Sequence, residues 1–311
     1  MHIVELTPAV EVPRDGWDRP LVIPKQGGRP TALTRTTTFI DCIEDKSALS
    51  GWKSRMTLVG AAKRPDLLSV VNQLDPQEPA DKRRLDQLAE QAQDISGANA
   101  KREKGTHLHT LSEYVDRGQP LPIGTSALDQ RDMAAYMGAT VPFAVKAVER
   151  FVVVPELRTG GTFDRLLEYA GPGPDGEHIE GHFIGDLKTG SVRYGALKMA
   201  TQLAVYAHGE FYDHTRFPVD PADRRAFAAW KKREVPAEEA AVAYSPLPGH
   251  VSKKWGIIIN LPAGSGDCTL HWVDLEIGWD AARLARQIRA MRSRKGAMLP
   301  WVSGVTSSPL C

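Results

Sequence analysis

The stretch "HFIGDLKTG", His182–Gly190, constrains the fold of this chain more than any other. Alternate residues of a strand share a face, so His182, Ile184, Asp186 and Lys188 point one way and Phe183, Gly185 and Leu187 the other. Both faces carry apolar side chains, so both need cover. A strand dressed on two sides belongs to a sheet with packed layers above and below it. It also carries a carboxylate and an amine about 6.5 Å apart along one face. A solvated ion pair at a sheet edge would need no explanation, whereas two charges directed into a layered interior imply a pocket.

The remaining sequence supplies those layers. Residues 1–35 are rich in Pro, Gly and Arg and read as an extended arm. "TTTFIDCIEDKSALSGWKSRMTLVGAAKRPDLLSVV" predicts helices with Phe39, Ile40, Ile43 and Leu49 as an apolar stripe. "DKRRLDQLAEQAQDIS" predicts a charged helix capped by Asp81, and "GANAKREKG" a basic connector after it. "GTHLHTLSEYVDRG" reads as a helix closed by Gly118. "TSALDQRDMAAYMGATVPFAVKAVE" reads as another, interrupted at Pro142. Short β-branched and aromatic runs follow, "RFVVVPEL", "GGTFDRLLEYA" and "HIEGHFIGDLKTG", with turn residues between them, which predicts a meander of three strands. "YGALKMATQLAVYAHGEFY" is an amphipathic helix, "KKWGIIINLP" and "CTLHWVDLEI" are two further strands, and "GWDAARLARQIRAMRSRKG" is a basic amphipathic helix. The expected class is α/β, a mixed central sheet flanked by helices. An N-terminal arm and helical region (1–98) precede the main body (99–311).

Charge and cysteine content narrow the function classes. Thirty-nine Lys and Arg balance 38 Asp and Glu, so affinity for nucleic acid must come from local clusters such as "KREK" before Gly105 or "WKKR" at 230–233. A solvated face explains such clusters equally well. Three scattered cysteines, Cys42, Cys268 and Cys311, contain no CxxC and imply a reducing compartment. No basic segment followed by an apolar run opens the chain and no long apolar stretch occurs, so a cytoplasmic protein without a membrane span is expected.

Chemistry gathers around the charged strand. "GGTFD" ends an apolar run with Asp164, and Gly161 three residues earlier leaves room for a ligand or backbone. Asp164 and Asp186 on adjacent strands can converge. If both are ionised, their repulsion calls for a cation, and hard oxygen donors suit Mg²⁺ or Mn²⁺. Lys188 beside them can orient a water or stabilise developing charge. Lys198, Gln202 and Tyr206, four apart, share one helix face.

Four elements in order, "GTHLH" with Gly105 and His109, "GTFD" with Asp164, "DLKTG" with Asp186 and Lys188, and "QLAVY" with Gln202 and Tyr206, resemble the RecB-type branch of the PD-(D/E)XK nucleases. The likeness covers roughly residues 100–210 and is nearest to phage exonucleases and CRISPR-associated exonucleases. It implies a restriction-endonuclease-like core and a metal-dependent DNA exonuclease of recombination, repair or phage DNA processing. By the same resemblance, His109, Asp164, Asp186 and the Leu187 carbonyl hold Mg²⁺ or Mn²⁺, Asp164, Asp186 and Lys188 are catalytic, and Gln202, Tyr206 and Lys198 position the DNA. His107 competes with His109 for the ligand role. Partners implied are end-bearing single- or double-stranded DNA, a single-strand annealing or recombination protein, and a second copy of the chain. The alternatives are a structure-specific endonuclease on the same scaffold and a catalytically idle DNA-binding module. The four-cysteine iron–sulfur cluster of the CRISPR-associated relatives does not carry over to three scattered cysteines. Glu149 and Glu156 flank the first strand and are left out of the metal set; each is a candidate supporting acid behind the ligands, although a glutamate beside a hairpin is usually just solvated, and His208 and His214 are read as surface residues.

Overall fold

The computed structural model describes residues 11–301 apart from Pro248 and Pro300; the first ten residues of the expected arm and Cys311 lie outside the described residues. From residue 11 the chain forms β1 (Leu21–Val22), β2 (Thr31–Ala32), β3 (Thr34–Arg35) and α1 (Thr36–Ile40). These segments are not a free arm. Leu21, Val22, Ile23 and Leu33 are buried against Phe151, Tyr212 and Trp230, and β3 adds to the main sheet in parallel to β5.

Three helices follow, α2 (Ser47–Ala62), α3 (Pro65–Val71) and α4 (Pro79–Ile95), which pack on each other through Leu67, Leu88 and Ala92. Gly60 is needed there, because a Cβ would lie 1.7 Å from the Ala92 carbonyl oxygen. Asp81 sits in the first turn of α4, but Glu78 is the cap and Pro79 the first helical residue, where proline's missing N–H costs nothing. The predicted basic connector is instead the first turns of α5 (Ala100–Asp116). Helix α6 (Ala127–Thr140) is capped by Ser126, whose hydroxyl accepts from the Asp129 amide at 3.2 Å. It stops before Pro142, and "AVKAVE", expected to continue the helix, belongs to strand β4 (Ala144–Val154). Val141 still has helical dihedrals (φ −46°, ψ −39°), but Pro142 has no N–H to extend the helical ladder, and the β-branched run beyond it takes over.

Strands β4, β5 (Thr159–Pro172) and β6 (His178–Lys188) form the expected antiparallel meander. Then come α7 (Ala196–Ala207), β7 (Glu210–Tyr212), α8 (Arg224–Trp230), α9 (Ala237–Ala241), β8 (Tyr244–Pro246), β9 (Trp255–Asn260), β10 (Thr269–Asp274) and α10 (Leu275–Arg292). The sheet order is β10-β9-β6-β5-β4-β7-β8, and β9 runs parallel to β6, so the sheet is mixed.

Helices cover both faces. Leu108 and Leu111 of α5 and Met133 and Tyr136 of α6 bury Leu167, Phe183 and Leu187 on one side. Leu203 and Tyr206 of α7 and Leu275 of α10 bury Phe163 and Ile184 on the other. Each such side chain contributes about 1.5–3 kcal/mol when fully withdrawn from water. Strand β6 is thus the doubly covered strand its sequence predicts. Among the described residues no helix is long and apolar enough to cross a membrane.

Candidate metal centre

Strand register brings the acids into a row. β5 and β6 pair from Pro172↔His178 down to Arg165↔Gly185, so the pairing ends at the residues next to Asp164 and Asp186, whose charges still act on each other. β4 pairs with β5 at Arg150↔Phe163 and Val148↔Arg165, which sets Glu149 across from Asp164. Three carboxylates therefore stand side by side on three adjacent strands. At this level β6 leaves β5 for β9, and the freed Leu187 amide donates to Asp164 Oδ2 at 2.9 Å.

His109 enters from α5. Its Nδ1 lies 3.4 Å from Asp164 Oδ2, and burial, the dominant influence, lowers its pKa against the opposing pull of Asp164. A neutral imidazole keeps a lone pair to offer a cation. Gly105, one turn earlier, has a defined purpose, since a Cβ there would come within 2.7 Å of Thr189 Oγ1. Its absence lets α5 settle on the segment after Lys188. His107 points elsewhere, with its Nε2 3.3 Å from Asp129 Oδ2 on α6.

Ligand atoms of His109, Glu149 and Asp164 all lie within 4.8 Å of one another. Glu149, left out of the metal set on sequence, is thus in the tightest cluster. It has φ of +48°, a left-handed conformation that costs a non-glycine residue about 1–2 kcal/mol. This departure from strand dihedrals breaks the alternation that sequence reading relies on. Burial, then the charges of Asp164 and Glu113, push the Glu149 carboxyl up to about 8. Glu156 remains at the surface, 3.3 Å from Arg286.

Asp186 lies beside this tight set, almost wholly buried. Burial and then the Asp164 charge push its carboxyl up to about 7, against the pull of Lys188. Lys188 Nζ is 2.5 Å from Asp186 Oδ2, a close ion pair. Asp186 Oδ1 receives a long contact, 3.4 Å, from Gln202 Nε2. Tyr206 is buried behind Gln202, and its ring fills the space above Gly161 together with Thr36; that glycine accommodates protein, not a ligand. Burial foremost, with the Asp186 charge, raises the Tyr206 hydroxyl above its ordinary range. Lys198 is turned away from the acids and bridges Glu44 at 2.6 Å and Asp41 at 3.1 Å.

The sequence reading also missed Arg165, whose side chain is 1 % exposed. Its guanidinium donates to Asp116 at 2.6 Å, the Tyr136 hydroxyl at 2.7 Å and Ser112 Oγ at 2.5 Å, and lies 3.7 Å from Asp164 Oδ2. Burial opposes its charge, but the groups around it hold its pKa above the usual value. This network ties α5 and α6 to β5, fixing the distance between His109 and Asp164. The available signal was an arginine in an otherwise apolar strand, directly after the aspartate.

Of the two histidines expected at the surface, His214 is buried and His208 is half-buried. His214 is buried beside Trp230, and His208 stacks on Trp279 with ring centroids 3.8 Å apart. The acid group opens into a groove of about 520 Å³ lined by Arg102, Thr106, Thr110, Glu113 and Thr189. No family model matches this chain, and no curated protein matches it.

Proposed function

We propose that this protein is a metal-dependent deoxyribonuclease of the RecB-like exonuclease type, built on a restriction-endonuclease-like core and hydrolysing phosphodiester bonds in DNA. The observation that carries the reading is the row Glu149–Asp164–Asp186 across three adjacent strands, with Lys188 paired to the last and His109 above the middle one. Three neighbouring carboxylates, two with raised pKa values, form an electrostatic arrangement that a cation relieves.

The donor set fits Mg²⁺ or Mn²⁺, with oxygens from Asp164 and Glu149, one imidazole from His109, and Asp186 one strand further. Such a cation, when bound, neutralises phosphate oxygens and lowers the pKa of a bound water. The residues of the chain do the rest. Asp164 is held by the Leu187 amide, Asp186 by Gln202 and Lys188, and His109 by α5 pressed onto Thr189. Lys188 stands where its ammonium can orient an attacking water and stabilise the charge that develops on the phosphate. Tyr206 and Lys198 act on the scaffold, one by filling the layer beneath the acids and the other by tying α7 to Glu44, and the DNA backbone falls to groups that line the groove.

The test is digestion of 5′- and 3′-labelled single- and double-stranded DNA with Mg²⁺, Mn²⁺, Ca²⁺ or EDTA. Cleavage with Mg²⁺ or Mn²⁺, lost in EDTA and not restored by Ca²⁺, is expected, with linear strands degraded and circular single strands left whole. Undiminished cleavage in EDTA would overturn the metal assignment.

A further inference from the structure

Helix α10 carries two apolar rows, and its packing within the chain accounts for one of them. The inner row, Leu275, Gly278, Ala282 and Ala285, is buried. It lies so close to α7 that a Cβ at Gly278 would come within 2.2 Å of the Ala200 carbonyl oxygen. The second row is Ile277, Ala281, Leu284, Ile288 and Met291. Spacing of three and four residues puts all five on one stripe, turned about 100° from the inner row. Ile277, Leu284 and Met291 are 57 %, 51 % and 60 % exposed, and Ala281 and Ile288 are half-buried. Single apolar side chains at a surface are ordinary, whereas a continuous stripe along about 21 Å of helix marks an interaction surface.

The charges beside the stripe divide by sign along the helix. Glu276 and Asp280 stand at its N-terminal end, Arg292 and Arg294 at its C-terminal end, and all four are exposed. Asp280 also pairs with Arg283 on its own helix. Arg294 Nη1 lies 3.5 Å from Met291 Sδ, so the basic end borders the last apolar residue of the stripe. Leu284 is the midpoint, with Ile277 seven residues before it and Met291 seven after. A second copy turned end for end about Leu284 therefore sets Ile277 against Met291 and acidic end against basic end, at both ends at once. A parallel pair would set like charges together. Beside Ile277 opens a hollow of about 390 Å³, walled by Val192, Leu197, Trp272 and Val273. Met291 of the second copy comes opposite it, and an unbranched thioether chain fills irregular apolar space well.

We propose that α10 joins two copies of this chain in a two-fold dimer, the helices antiparallel and crossing at Leu284. Self-complementarity favours a second copy over an unrelated partner, because one surface supplies the apolar stripe and both charge signs at matching positions. α10 packs on the sheet face opposite α5, so the dimer leaves the acid groove of each copy open. The inference stands apart from the nuclease reading.

The experiment is sedimentation velocity on the whole protein over a concentration series, with circular dichroism to check that each variant is folded. The wild type should reach twice the mass of one chain. Leu284→Glu sets two carboxylates together at the axis and should raise the dimer dissociation constant about a hundredfold or more. Two charge reversals, Glu276→Lys with Asp280→Lys and Arg292→Glu with Arg294→Glu, each leave both ends of the helix with one sign. Each should weaken the dimer about tenfold. Mixed in equal amounts, the two reversed proteins should recover the doubled mass, because every end then meets its opposite. If Leu284→Glu loses the wild-type spectrum, the reversed pair decides alone. A wild type that stays single at every concentration overturns the proposal and leaves the stripe to a different protein. A dimer that survives Leu284→Glu is held by another surface and overturns it as well. A mixture no heavier than its two components contradicts the antiparallel pairing.

Discussion

Glu149 stands where strand alternation fails, and its consequences begin with its backbone. The left-handed conformation turns its carboxylate toward Asp164 and His109, a placement no period-two reading of "AVERFVVV" anticipates. Asp186 and Lys188, by contrast, obey the alternation, and their contact at 2.5 Å follows from residues two apart on one face. His109 and Asp164 were legible because motif order matched the order of helix and strands. Lys198 was not, because its partners Asp41 and Glu44 lie more than 150 residues earlier in the chain. If Glu149 is a ligand, Glu149→Gln should weaken Mn²⁺ binding about tenfold or more, comparably to Asp164→Asn, since each substitution removes one anionic donor while keeping its shape. Calorimetric titration checks this; a Glu149→Gln variant with unchanged affinity would return the glutamate to a structural role.

At the scale of elements, the centre depends on how closely α5 approaches the sheet. Adding a methyl at Gly105 pushes α5 off Thr189, so Gly105→Ala should lower thermal stability and cleavage together. Thr189→Ala in the same chain removes the obstructing hydroxyl and should restore much of both, a coupling that a double-mutant cycle measures. Arg165 secures the same helix from within. Arg165→Ala leaves the Asp116 carboxylate buried without its partner and should cost about 3–5 kcal/mol in denaturant unfolding. The predicted helices and strands were readable at this scale wherever periodicity ran long, as in α4 and α10. They were misplaced where proline and β-branched residues met, as between Thr140 and Ala144, and the arm was misread because its partners Tyr212 and Trp230 come far later in the chain.

Across the whole molecule, the acid row links stability to pH and to metal. Glu149 at about 8 and Asp186 at about 7 are raised above their ordinary values. The metal-free fold therefore keeps protons that the unfolded chain releases, and stability falls as pH climbs from about 5 to 8. His109, lowered by burial, works in the opposite direction, its contribution being lost below its ordinary range near 6.5. Mn²⁺ displaces the retained protons, so the rise in melting temperature it produces should be larger at pH 8 than at pH 5.5. Differential scanning at the two pH values checks this, and an equal rise at both would separate the acids from the metal. The most direct test of the account concerns Lys188, because a protonated amine has no lone pair for a cation and serves only the chemistry. Mn²⁺ titration and cleavage of end-labelled DNA, run side by side on wild type and Lys188→Ala, should give similar metal affinity and a loss of cleavage of about a hundredfold or more. Cleavage by Lys188→Ala at the wild-type rate would make the charged strand a structural feature and contradict the nuclease assignment.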